Sequence, residues 1–401
     1  MKSQPWPLSE REVAEVMRAL RFDYCTWDID SGAKRLILPA CLVLTRQEHQ
    51  RAVAVCQRFD EILGRLESAL LERPDLLQGL GIPRPVLPLV RADQDTGLQL
   101  ARYDLFLTPE GRWLVSEFNE DVPGGFNEAV GIPDLVGPYL RGATFQGDLR
   151  RAVTAALRPF EHIALLFATG YADDLQHMLL VRRWLEAEGH TTELASPTHL
   201  RCRWRGPRVF DRRCHAAFRF YPGEWYRWLP NRRHWQRALT QLPMMNPLRR
   251  LIRQSKRLYA LWNDPSLLSR EDISFLTAHT PRTFPFEQLA GIPDNGETST
   301  DRSRWVLKHA FGRMGDAVVL GNLAGDKEWG ETLAAARRAP REWVLQERFQ
   351  VAAMGNNGTT LYPSLGVYLV NRSFAGYYSR AAVRPFINHE AYHVATTVES
   401  A

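Results

Sequence analysis

The 401-residue chain has no run of about 18 apolar residues, which excludes a membrane-spanning helix. Its opening, Met1-Lys2-Ser3-Gln4-Pro5-Trp6, lacks the apolar core of a secretion signal. Cysteine is scarce. Cys25, Cys41, Cys56, Cys202 and Cys214 are odd in number and widely spaced, so neither a disulfide framework nor a paired zinc pattern is expected. Together these absences point to a cytoplasmic protein. A Walker phosphate loop, a Gly-x-Gly-x-x-Gly fingerprint and a serine nucleophile elbow are missing, and no helix carrying His-Glu-x-x-His is read. Internal repeats and low-complexity linkers are missing too.

What is present is an uneven charge. The whole chain carries +6, but residues 201–257 hold fifteen Arg and one Lys against Asp211 and Glu224, a local +14 that leaves −8 for the remainder. Trp204, Trp225, Trp228 and Trp235 are interleaved with these arginines. Such a stretch suits an anionic partner, either a phosphorylated substrate or an acidic carrier protein. Arginines and rings packing on one another are the simpler explanation, ahead of such a partner. Nucleic acid is the least supported partner, since no recognised binding motif accompanies the charge.

The N-terminal third reads as mainly helical. Ser9-Glu-Arg-Glu12 and Thr45-Arg-Gln-Glu48 have capping-box spacing, the first opening a helix to about Leu20 and the second a long helix that stops before Pro74. Two strand-like runs, 101–107 and 112–119, flank Thr108-Pro-Glu-Gly111 and predict a hairpin. A strand at 162–167, a helix at 175–188 and a strand at 192–195 suggest a small α/β unit. After a helix from Leu248 that contains Ser255-Lys256, strands dominate: 305–308, 317–320, 343–348, 366–370 and 374–380, with a helix near 332–338.

The hairpin carries the sharpest chemistry. With Pro109 and Glu110 at its tip, Thr108 faces Gly111, Arg102 faces Glu117 and Asp104 faces Val115. Side chains alternate across a sheet, so Arg102, Asp104, Glu117 and Asn119 then share one face. Two carboxylates and an amide oxygen form a ligand set for Mg²⁺. The alternative is an exposed polar face with a cross-strand ion pair. Asp121-Val-Pro-Gly124-Gly125 follows and lets backbone approach a ligand closely. Further on, Lys308 ends a strand before His309-Ala-Phe-Gly312-Arg313-Met-Gly315, a loop able to fold over phosphates. Gln346 and Glu347 end an apolar strand suited to one wall of an adenine pocket. Arg380 ends another strand and can stabilise developing negative charge.

Taken together, these segments resemble the synthetase domain of the glutathionylspermidine synthase family, a circularly permuted branch of the ATP-grasp ligases. Arg102-x-Asp104 followed by Glu117-Phe-Asn119-Glu-Asp121-x-Pro123 is similar to its metal-binding hairpin and substrate loop. Ser255-Lys256 with Leu261-Trp262 resembles its first nucleotide lysine, and Lys308 through Gly315 its second lysine and phosphate loop. Pro363-Ser-Leu-Gly366 through Gly376 and Arg380 resembles the strands ending in its catalytic arginine. The resemblance covers roughly residues 96–395, with carboxylates preceding lysines in the permuted order. It implies an α/β (α+β) fold with ATP-grasp-like mixed sheets. A mainly helical region at 1–95 would precede the hairpin and substrate loop at 96–150, a small pre-ATP-grasp α/β unit at 151–250 and a nucleotide-binding part at 251–401.

The resemblance also implies an ATP-dependent ligase joining a small carboxylate to an amine through an acyl phosphate. Asp104, Glu117 and Asn119 would hold Mg²⁺. Lys256, Lys308, Gly312, Arg313, Gly315, Gln346 and Glu347 would bind ATP, and Arg102 and Arg380 would stabilise the reacting centre. A kinase that stops at phosphoryl transfer and a binding module for an anionic partner are the competing readings. Two departures stand out. Gly124-Gly125 replaces the small hydroxyl residues usual after the loop proline, which counts against glutathione. No amidase part is read ahead of the synthetase-like part.

Overall fold

The computed structural model describes residues 1–32, 34–288, 302–312 and 318–400. Both capping boxes form: Ser9 and Thr45 accept from the N–H groups of Glu12 and Glu48, whose carboxylates reach back to the caps. They open helices Glu10–Asp23 and Arg46–Leu71, the first running past the expected end at Leu20. The long helix buries Cys56, Phe59, Leu63, Leu66 and Leu70 completely. At roughly 1.5–3 kcal/mol for each large side chain, that stripe anchors it to the sheet it covers.

That sheet has nine strands among the described residues. Its main path runs Lys2–Pro5, Ile37–Leu44, Tyr392–Glu399, Ser373–Ala382, Thr359–Val370, Leu100–Leu107, Trp113–Asn119. Neighbours are antiparallel except Ile37–Leu44, which pairs parallel with Tyr392–Glu399. The region 1–95, read from its sequence as mainly helical, therefore also supplies two strands to the sheet that holds the hairpin. Ile37–Leu44 was missed because it is apolar almost throughout, with no alternation to mark a strand.

A second sheet is wholly parallel, in the order Met244–Met245, Ala216–Phe220, His162–Phe167, Thr191–Ala195. His162–Phe167 is buried at every position, as a parallel strand covered on both faces must be. A third, antiparallel sheet runs Thr283–Pro285, Trp343–Glu347, Trp305–His309, Val318–Leu320, and helix Asp326–Arg338 packs on it through Trp329 and Leu333. The helix expected from Leu248 is broken. Leu251–Gln254 is α-helical, Ser255 is extended, and Lys256–Leu261 is a 3₁₀ turn.

The Arg-rich segment is not one surface. Arg219, Arg250, Arg253 and Arg257 are buried. Arg253 meets Asp60 at 3.1 Å and Glu120 at 3.0 Å, and also Glu67, to which Arg249 and Arg250 bond as well. Arg219 pairs with Asp121 at 2.7 Å. Part of the local positive charge is thus neutralised inside the molecule by carboxylates from elsewhere in the chain. Arg201, Arg205, Arg212 and Arg213 stay exposed, and Arg205 lies 4.4 Å over the Trp204 ring, itself 85% exposed.

Replacing Arg253 with Ala leaves Asp60, Glu67 and Glu120 short of a buried counter-charge. Chemical denaturation should show a loss of about 3–5 kcal/mol, against little change for Arg205→Ala at the surface.

Candidate active site

The hairpin forms between Leu100–Leu107 and Trp113–Asn119, but its register differs from the expected one. Thr108 pairs with Arg112, not Gly111, because Pro109-Glu110-Gly111 makes a three-residue loop with Gly111 at φ +78°. Closer to the site, the pairing slips again: Leu105 faces Val115 while Asp104 faces Glu117, so Ser116 is an extra residue in its strand. The two shifts restore the face. Arg102 sits opposite Asn119 and Asp104 opposite Glu117, all on the side away from buried Tyr103 and Leu105. With the loop shift alone, Glu117 would turn into the core.

Around this face the carboxylates are held by cations of the chain. Arg102 donates to both Asp104 oxygens at 2.7 and 2.9 Å, and the Asn119 amide donates to Asp104 Oδ2 at 2.9 Å. Lys256 Nζ donates to Glu117 Oε1 at 2.8 Å and to the Gly312 carbonyl at 2.7 Å. Lys308 Nζ lies 3.4 Å from Ser116 Oγ. Burial pushes the Glu117 carboxyl up, but Lys256, Lys308 and Arg102 together hold it below its ordinary value. Burial lowers Lys308 to about 8, against the opposing pull of Glu117.

These groups open onto a cavity of about 670 Å³, the size of a small-ligand pocket. Arg102, Asp104, Glu117, Asn119, Lys308 and Arg380 all line it, as do Gly312 and Gln346. Arg380 is oriented by the carbonyls of Asn388 at 2.9 Å and Ala391 at 2.8 Å. Lys256 stands just behind the wall. Glu347 points elsewhere, toward Arg282 at 3.6 Å and Arg304 at 3.9 Å. Its strand is paired on both edges, and its own N–H donates to the Arg282 carbonyl at 2.8 Å. Beyond it, Phe349 and Val351 line the cavity instead. Arg313 and Gly315 lie outside the described residues.

The Gly124-Gly125 loop has a steric reason. Gly125 has φ +93°, and a Cβ there would come within 2.6 Å of the Tyr378 ring. Arg102 Nη1 donates to the Gly124 carbonyl at 2.6 Å, and the Gly125 N–H donates to His177 Nε2 at 2.7 Å. Since that nitrogen accepts, His177 Nδ1–H donates to the Asp173 carbonyl, 2.6 Å away. The fold also brings in residues that no sequence signal singled out: His177, Tyr378, Asp28, Glu128 and His393. The string His389-Glu390-Ala391-Tyr392-His393 does have His-Glu-x-x-His spacing, but it passes through a turn into a strand. It lacks the helical face on which that motif binds zinc.

Burial lowers His177 to about 4. The unfolded chain therefore takes up a proton near pH 6.5 that the folded protein refuses until about pH 4, so folding weakens as pH falls through that window. Relative to His177→Gln, the wild type should lose up to about 3 kcal/mol of stability between those limits, read from denaturation curves across pH.

The sequence matches the family described as "Glutathionylspermidine synthase preATP-grasp" over residues 18–399. No curated protein matches it. Among solved structures it is similar to a glutathione synthetase-like effector from Globodera pallida in its apo form. That pair has 11% identity and a TM-score of 0.66, covering 98% of this chain and 99% of the other. A second neighbour is described as a candidate gamma-glutamylcysteine synthetase from Methylobacillus flagellatus KT, with 10% identity, a TM-score of 0.48, and 88% and 89% coverage. The mixed sheets are those of an ATP-grasp-like synthetase. With the family match spanning nearly the whole chain, this protein belongs to the glutathionylspermidine synthase preATP-grasp family, whose role is of the ligase type.

Proposed function

We propose that the protein is an ATP-dependent, ADP-forming ligase that joins a small carboxylic acid to an amine through an acyl phosphate. The observation that carries this reading is the single cavity shared by two opposed carboxylates, a buried lysine and two arginines. Asp104, Glu117 and Asn119 offer oxygen ligands of the kind Mg²⁺ takes, on adjacent strands, once Arg102 and Lys256 turn from the two carboxylates to phosphate oxygens. Bound there, Mg²⁺ would offset charge on the nucleotide phosphates.

The chain's residues do the rest. Lys308, and Lys256 on release from Glu117, take phosphate oxygens. The acid's oxygen attacks the terminal phosphorus of ATP and ADP departs. The amine nitrogen then attacks the acyl carbon, forms the C–N bond with loss of a proton, and inorganic phosphate leaves. Arg102 and Arg380 face the negative charge that develops at both stages. His177 and Tyr378 hold the glycine loop against Arg102, which fixes the acid's approach.

The proposed substrates are free small molecules. The internal ion pairs of the Arg-rich segment weaken the charge argument for an acidic carrier protein or nucleic acid. No helix among the described residues is long and apolar enough to cross a membrane, and all five cysteines are buried thiols, in keeping with the cytoplasmic location proposed.

Calorimetry with ATP and Mg²⁺, followed by an ADP-release assay over a panel of acids and amines, tests the proposal. We expect metal-dependent ATP binding that weakens at least tenfold in Glu117→Gln, and ADP release that requires the amine and falls at least about a hundredfold in Lys308→Ala. ADP release without an amine or an amide product would favour the kinase reading. Normal turnover in both folded variants would remove the site assignment.

A further inference from the structure

A second group of ligating side chains lies on the wall of the same cavity and is not used above. Asp28, Glu128 and His393 each offer one ligand atom, and these atoms lie within 4.8 Å of one another. They come from three separated parts of the chain: the turn after helix Glu10–Asp23, the first turn of helix Phe126–Val136, and the start of strand Tyr392–Glu399. His393 and Glu128 are only 5% and 6% exposed. One oxygen of Glu128 is buried without any hydrogen-bond partner among the described residues. An orphaned carboxylate oxygen in such a place needs explaining, because leaving it unpaired costs more than one hydrogen bond gains.

The rest of the cluster is built, not incidental. The His393 backbone N–H donates to the Leu36 carbonyl at 2.7 Å, and the pairing of its strand with Ile37–Leu44 shifts register just after it. The Tyr378 hydroxyl lies 2.9 Å from His393 Nδ1 and holds the ring. Glu128 Oε1 is 3.2 Å from the same nitrogen. Gln176 Nε2 lies 3.5 Å from an Asp28 oxygen, leaving that carboxylate room for another partner.

We propose that Asp28, Glu128 and His393 form a second metal site, taking a first-row divalent transition ion such as Zn²⁺ or Mn²⁺ and separate from the all-oxygen set on the hairpin. Ligand type divides the two sites. An imidazole nitrogen with two carboxylates favours transition ions, whereas Mg²⁺ prefers oxygen alone and keeps its waters. Bonds of about 2.0–2.2 Å put neighbouring ligands roughly 3–3.5 Å apart, so from separations of up to 4.8 Å an ion needs the trio to close by about 1–2 Å. Of the three, Asp28 is the least buried and is the natural member to move. His389, exposed on the same cavity wall, is the nearest further imidazole in sequence.

The test uses the full chain stripped of metal. Zn²⁺ is titrated by calorimetry in excess Mg²⁺, and Co²⁺ is followed by its visible absorption. We expect one Zn²⁺ per chain that Mg²⁺ does not displace, with affinity at least about tenfold weaker in Asp28→Asn and in His393→Ala and unchanged in Glu117→Gln. Asp28→Asn alters a half-buried turn residue and keeps the test decisive if His393→Ala fails to fold. Absence of Zn²⁺ binding in excess Mg²⁺ would overturn the proposal. So would an affinity untouched in the Asp28 variant, or a site that binds alkylammonium ions but no transition metal.

Discussion

Arg253, with three carboxylates around it, is the interaction on which the rest of the architecture hangs. Asp60 and Glu67 come from the long helix, Glu120 follows directly on the hairpin strand, and Arg253 lies three residues before Lys256. Gln254 adds a second tie by accepting from the N–H groups of Glu120 and Asp121, both at 3.1 Å. Lys256 therefore reaches Glu117 because its own segment is clamped to the end of the strand that carries Glu117. Ionic groups so deeply buried add little to stability compared with an apolar core, but they tolerate few alternative arrangements. Here the arrangement they enforce is the position of a lysine against a carboxylate, across 139 residues of sequence.

The cavity shows the same logic from outside. One sheet supplies Arg102, Asp104, Glu117, Asn119 and Arg380, a second supplies Lys308, and the parallel unit brings His177 and Phe220 against the glycine loop. Each side chain is aimed by rigid backbone. The connection from strand to helix contributes the loop at 124–125, whose glycines are packed against the Tyr378 ring and the His177 imidazole. The absence of hydroxyl residues there follows from packing in this chain.

Much was legible in the sequence because it depended on local chemistry. The two capping boxes, the glycine-containing turn and the alternation of Arg102 and Asp104 with buried Ala101, Tyr103 and Leu105 are properties of short windows. Parity within each strand put Arg102 with Asp104 and Glu117 with Asn119. Whether the two pairs share a face depends on the register, which was not legible. A three-residue loop in place of a two-residue tip, then an extra residue at Ser116, moved the pairing twice and left the face unchanged. The setting of Glu347 was hidden for a related reason: both edges of its strand are used by neighbours that no local pattern reveals.

What the sequence determined by itself, then, were the residue types at the candidate site and the order in which carboxylates, lysines and arginine occur, since these are matters of spacing within single elements. Tertiary structure alone decided that Arg219, Arg250, Arg253 and Arg257 are buried partners of distant acids, that the N-terminal strands share a sheet with the C-terminal one, and that Asp28, Glu128 and His393 meet. Each of these joins groups far apart in the chain. Their energies come from desolvation and charge pairing, which exist only once the chain has closed on itself.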